Sequence, residues 1–145
     1  MSNDLQWLLL RRSNAYIVKR VPEGPVFSKE PGNLRNLHSY KYSGLANSKT
    51  IDVKDDNGTI KIVTRKTKAS PHAVKSAYGT TSIRPRSGTR RALGIAAAST
   101  AKRGYRPDLR TATLARVSAL LAAQREPKQA PAKKLRGKKA KALPV

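Results

Sequence analysis

"TIDVKDDNGTIKIVTRK", residues 50–66, decides the fold. Asn57-Gly58 supplies the two adjacent positive-φ positions that a tight type I′ turn requires, and alternating β-branched residues flank it on both sides. Pairing across that turn sets Val53 opposite Ile62 and puts Ile51 and Ile60 on one face, so the stretch predicts an antiparallel hairpin with an apolar side. Asp52, Asp55 and Asp56 crowd beside the turn. Asp56 is expected to cap or flank it rather than bind magnesium, because no loop-spaced set of oxygen ligands surrounds it.

Upstream of the hairpin, "SNDLQWLLLRR" predicts a short helix with Ser2 as N-cap and Asp4 in the first turn, where the helix dipole favours an acid. Leu5, Leu8 and Leu9 share a face, and Trp7 is expected in the core among those leucines. "AYIVKR" predicts a strand closed by Pro22 and Gly24. From Phe27 to Lys49 no period is sustained, which predicts a long structured loop with at most one short strand around Tyr40 to Leu45. A loop of that length is unusual unless function holds it.

Downstream, residues 65–91 are punctuated by Pro71, Gly79, Pro85 and Gly88 and read as an extended basic connector. A helix from Arg90 to Lys102 is expected, capped by Thr89, ended by Gly104 and weakened at Gly94 by about 1 kcal/mol relative to alanine. Pro107 suits a first helical position, and in the helix it opens Leu109, Leu114, Val117, Leu120 and Leu121 fall within a stripe about 140° wide. Alanines fill most of the other side, so a second backbone could approach closely there. The predicted class is α+β: a short N-terminal helix, a small antiparallel sheet with the Asn-Gly hairpin, two C-terminal helices, basic extensions and a tail. The expected organisation is a small α+β core at 1–64, the connector at 65–88, a two-helix segment packing on the core at 89–126, and a Lys/Ala/Pro tail at 127–145.

Charge selects the partner. The chain has 31 lysines and arginines against 8 acids, a net +23 over 145 residues. Residues 1–62 carry 10 basic and 6 acidic side chains, whereas residues 63–145 carry 21 and 2. Such an excess opposes compaction until a polyanion neutralises it. Cysteine is absent, which excludes disulfides, thiolate catalysis and sulfur-ligated zinc. The apolar run Leu8 to Leu10 is far short of a signal-peptide core or a membrane span, so the expected setting is the cytosol or nucleus, with no membrane partner. His38 and His72 lie in polar, turn-rich segments without a carboxylate or second histidine at metal or relay spacing, and each reads as a surface residue or an RNA contact. No glycine-rich phosphate loop is present. The chain is therefore expected to be no enzyme, with no cofactor, metal or small-molecule substrate.

The cations have a physical purpose. Arg84, Arg86, Arg90 and Arg91, then Lys102, Arg103, Arg106 and Arg110, lie at or beside breaks between elements, where guanidinium forks can take phosphates at several orientations. Lys66 and Lys68 in the connector, Arg35, Lys41 and Lys49 in the long loop, and Lys133, Lys134 and Arg136 in the tail extend the same candidate surface. Tyr40, Tyr42 and Tyr105 each have a basic neighbour and could stack on unpaired bases, although core packing explains any one of them equally well. Asn33 and Asn36 either cap local turns or contact RNA edges. Folded RNA is gripped by shape through loops and tails, whereas DNA readers present a recognition helix, and the final helix here carries alanines where base-reading side chains would stand. The alternative is a chromatin-associated DNA-binding protein, since the tail has linker-histone-like composition.

"LQWLLLRR", "FSKEPGNL" through "SYKYSGLANSKT", and "YRPDLR", in this order, resemble the eukaryote-specific large-subunit ribosomal protein family numbered twenty-eight, over roughly residues 2–125. The resemblance implies a structural component of the cytosolic large ribosomal subunit, assembled in the nucleus or nucleolus. It further implies contact with large-subunit ribosomal RNA and neighbouring ribosomal proteins, and no catalytic duty. Under it the two loop motifs are an RNA-facing surface, and "YRPDLR" opens the C-terminal helix with Tyr105, Arg106 and Arg110 as contacts. The run "ALGIAAASTA" is less basic than the family leads one to expect, which leaves open whether Ala92 to Ala101 faces RNA or protein.

Overall fold

The computed structural model describes residues 2–19, 21–70, 72–102, 104–127 and 129–131. The hairpin forms as its sequence dictates: β3 (Ile51–Asp56) and β4 (Thr59–Arg65) pair with Val53 opposite Ile62, and Asn57 and Gly58 both take positive φ. The Asp55 carboxylate, rather than that of Asp56, accepts the Gly58 N–H at 3.1 Å. Asp56 instead pairs with Lys61.

A third strand, β5 (Tyr78–Ile83), lies antiparallel to the other edge of β4, with Ile60 opposite Ile83 and Arg65 opposite Tyr78. Residues read from sequence as connector thus include a strand. Its sequence, YGTTSI, buries only the final Ile83, so no hydrophobic alternation marks it; backbone hydrogen bonds to β4 hold it in place.

Ile51, Val53, Ile60, Ile62 and Ile83 make one buried sheet face, and the two C-terminal helices cover it. α2 (Thr89–Ala97) contributes Ala92 and Ala96 to that core. A 3-10 turn (Pro107–Leu109) leads into α3 (Arg110–Ala123), and Leu109, Ala112 and Val117, with Leu34 from the long loop, complete the cluster. Leu114, Leu120 and Leu121 are only partly buried, and the face of α3 that enters the core includes Ala112 and Thr113. Alanines at 92, 96 and 112 keep that shared core thin, since their side chains end at Cβ.

α2 differs from its expected start and end. Its N-cap is Gly88, whose lack of a side chain leaves the first turn without a side-chain cap, and the Thr89 hydroxyl takes a hydrogen bond from Arg125 instead. At the far end a wider π-helical turn, Ala98–Lys102, replaces regular helix. Ser99 and Thr100 donate their hydroxyls to the Ala96 and Ala97 carbonyls, and such insertion into the backbone ladder is a known cause of helix distortion. Gly104, at φ +59°, ends the run as its position predicts.

The N-terminal third is organised differently. α1 (Asn3–Leu10) has its Ser2 cap, which accepts from the Leu5 N–H at 3.3 Å. It buries no residue: Leu5, Leu8 and Leu9 are 47, 57 and 66 % exposed. Trp7, expected in the core, is half-buried against His38 and Tyr40, at ring separations of 5.0 and 6.0 Å, because α1 docks on the long loop and not on the sheet. His38 helps to hold that dock through a 2.9 Å contact between Nε2 and the Arg11 carbonyl. The strand expected in "AYIVKR" shrinks to β1 (Ile17–Val18), which pairs with β2 (Phe27–Ser28). Residues 40–45, for which the sequence allows at most one short strand, form turns.

Candidate nucleic-acid interface

The long loop owes its shape to one carboxylate. Glu30, 4 % exposed, accepts from the hydroxyls of Ser28 (3.0 Å) and Ser43 (2.9 Å) and from the N–H groups of Gly44 (3.1 Å) and Leu45 (3.2 Å). It thereby ties "FSKEPGNL" to "YSGLANSKT". Gly44 approaches Pro31 so closely that an added Cβ would stand 1.9 Å from its carbonyl oxygen. Asn47 donates to the carbonyls of Tyr40 and Ser43, at 2.7 and 2.8 Å. Sequence reading passed over Glu30 because its partners lie up to 15 residues away in an aperiodic stretch.

Several predicted contacts serve the fold. Asn33 is buried, donating to the Leu37 carbonyl at 2.9 Å and accepting from the Arg35 N–H at 3.2 Å. Asn36 is exposed and takes the left-handed conformation at φ 53°. The Tyr105 hydroxyl donates to the Arg65 and Thr50 carbonyls at the sheet edge, and burial pushes its pKa above the ordinary tyrosine value. Arg106 donates to the Lys49 carbonyl at 2.9 Å and the Lys41 carbonyl at 3.0 Å. Its fork also grips Asp108 at 2.8 and 2.7 Å. Hydrogen bonding from Arg106 is the main cause of the lowered Asp108 pKa. "YRPDLR" is therefore a joint between loop, sheet and α3, in which Arg110 alone of its three predicted contacts is exposed.

The other predicted cations among the described residues face outward. Ile83 is buried, and the chain then turns out at Arg84, whose carbonyl accepts the Ser87 N–H at 2.9 Å. Arg84, Arg86, Arg90 and Arg91 are all exposed, and none of the ion pairs among the described residues involves them. Arg84, Arg86 and Arg91 line a pocket of about 230 Å3 with Ser87 and Gly88. It sits at the start of α2, whose first turn carries no acid. Cations there oppose the helix dipole, so this arrangement is electrostatically unfavourable until an anion enters. Arg125, which sequence reading missed, joins the same end of α2 through Thr89, 36 residues away. At the other end of α2, exposed Lys102 and Arg110 border a shallow hollow of about 440 Å3 floored by Gly94, Ala97, Ala98 and Ala101. Ala92 to Ala101 thus divides by face: Ala92 and Ala96 pack in this chain's own core and Thr100 is buried, whereas exposed Gly94 and half-buried Ala97, Ala98 and Ala101 line the hollow.

Arg35, Lys41, Lys49, Lys66 and Lys68 are exposed. The Arg35 guanidinium and Lys41 ammonium each stand 5.6 Å from the centre of the half-buried Tyr42 ring, and Lys49 stands 5.9 Å from that of Tyr105. Tyr40 is exposed, and hydrogen bonding to Asp4 raises its pKa. Arg103, Lys133, Lys134 and Arg136 lie outside the described residues.

Among the described residues no three metal-ligating side chains cluster, and no helix is long and apolar enough to cross a membrane. The described residues form a small α+β body that exposes Arg84, Arg86, Arg90 and Arg91 without an ion-pair partner among them. The model of the Ribosomal L28e protein family matches residues 5–123. The protein named large ribosomal subunit protein eL28 in Dictyostelium discoideum is 36 % identical over 136 residues, covering 92 % of this chain and 97 % of that one. Its namesake in Schizosaccharomyces pombe is 30 % identical over 129 residues, covering 88 % and 96 %. That of Caenorhabditis elegans is 37 % identical over 71 residues, covering 49 % and 56 %. The chain belongs to the Ribosomal L28e family, a eukaryotic family of structural ribosomal proteins.

Proposed function

We infer that this chain is a structural constituent of the cytosolic large ribosomal subunit, where it binds folded ribosomal RNA and holds neighbouring RNA segments in one arrangement. One observation carries the reading: Arg84, Arg86 and Arg91 converge on a single pocket at an uncapped helix start without a partner acid. Each phosphate bound there relieves cation repulsion and releases counterions. Arg90, Arg125, Lys102 and Arg110 extend the surface along α2, and Lys66, Lys68, Lys41 and Lys49 extend it across the loop side. Assembly in the nucleus or nucleolus, beside neighbouring ribosomal proteins, completes the proposal.

The chromatin alternative calls for a three-helix body ahead of the hairpin wing, whereas among the described residues only α1 is helical before β3. The test is incorporation. A tagged chain with Arg84, Arg86 and Arg91 all changed to Ala should sediment with large subunits at a small fraction of the wild-type level, with its thermal unfolding unchanged. Full incorporation of the triple variant at physiological salt, or recovery of the wild type with chromatin alone, overturns the reading.

A further inference from the structure

We propose that the pocket between the long loop and α3 receives one unpaired nucleobase of the bound RNA, with Arg35 and Arg116 taking the flanking phosphates. This rests on the RNA-binding reading and adds a site of defined chemistry to it. The pocket measures about 310 Å3, at the small end of the range ~300–1,000 Å3 for small-ligand sites. Leu34, the Tyr42 ring, Ala112 and Ala115 give it apolar walls, Arg35 and Arg116 are its charged members, and no acid lines it.

The two kinds of wall suit the two parts of a nucleotide. A planar base gains from aromatic and apolar surface, whereas its phosphates need guanidinium forks, and these lie within one pocket. Arg35 and Lys41 already stand by the Tyr42 ring, so a base placed there has cations close to its backbone. An apolar side chain from a neighbouring protein would fill the walls and leave Arg35 and Arg116 without an anion. Bulged or looped bases are the natural occupants, because their unstacking has largely been met by the RNA fold. Arg116 escapes a sequence reading because it lies among the alanines of a helix, 81 positions from Arg35 along the chain but beside it in the pocket.

The experiment uses the full chain and two RNA duplexes that differ only in a single unpaired 2-aminopurine. At about 0.15 M salt the bulged RNA should bind on the order of tenfold more tightly, and its fluorescence should fall as the base stacks. Ala115→Leu, at an exposed position of α3, should plug the pocket, erase the preference and the quenching, and leave affinity for the paired duplex intact; Thr111→Leu is a second plug if the first fails to fold. Equal affinity for both RNAs, or a preference that survives a folded plug, overturns the pocket assignment alone. Failure to bind either RNA overturns the RNA-binding reading beneath it as well.

Discussion

At the scale of single residues, Glu30 shows how a polar side chain can act as the core of an irregular segment. Four donors converge on it, and beyond the short pairing of β2 the surrounding loop has little regular structure to satisfy its backbone. Glu30→Gln turns one acceptor into a donor facing donors, and should cost about 1–3 kcal/mol in urea unfolding. An unchanged midpoint would remove Glu30 from this role. Two glycines make an opposed pair. Gly44→Ala drives a Cβ into the Pro31 carbonyl and should prevent stable folding, whereas Gly94→Ala meets nothing within 4 Å in α2 and should stabilise by about 1 kcal/mol. Thermal melts of the two variants check both signs. Asp108 gives a pH signature. Its lowered carboxyl pKa means that its pairing with Arg106 stabilises the fold fully above the ordinary carboxylate range, and loses that contribution as pH falls through the depressed folded value. The stability gap between wild type and Asp108→Asn should therefore be flat above about pH 4 and close below it, as read by acid titration of unfolding.

At the scale of elements, the chain builds two kinds of unit. The β3–β4–β5 sheet and the α2–α3 pair share an apolar interior, where Ile62→Ala should cost about 2–5 kcal/mol. α1 is held by the Trp7 stack and by His38 on the Arg11 carbonyl, with three leucines left in solvent. Trp7→Ala should thus free α1 while the sheet and helix core keeps its unfolding midpoint, so that amide exchange rises over residues 3–10 alone. Exchange rising across β3 and β4 as well would mean that α1 is integral to the core. The elements legible in the sequence were those with a strict period or a defining turn: the hairpin by Asn57-Gly58, α3 by its apolar spacing, α1 by Ser2. β5 was not, because an edge strand with one buried residue is placed by pairing to β4 and carries no alternation of its own.

At the scale of the whole molecule, electrostatics dominates. Residues 127–145 contain seven basic side chains and no acid. Deleting them should leave the folded body's melting temperature unchanged and flatten the salt dependence of RNA binding, by about 0.9 in log–log slope for each phosphate that the shortened chain no longer neutralises. An unaltered slope would show that the tail neutralises none. The sequence alone determined the α+β class, the hairpin and its register, the family and the chain's own large positive charge. Those properties are written in local turn chemistry, in short-range periodicity and in composition, none of which needs the chain to be folded. Which charged and aromatic residues are free was decided only by the tertiary structure. Arg106, which stands at a break in the sequence, is consumed by carbonyls 57 and 65 positions away and by Asp108, whereas Arg116, set among helical alanines, lines an open pocket beside Arg35. A side chain's availability depends on which distant backbone groups reach it first, and that is a property of packing in three dimensions.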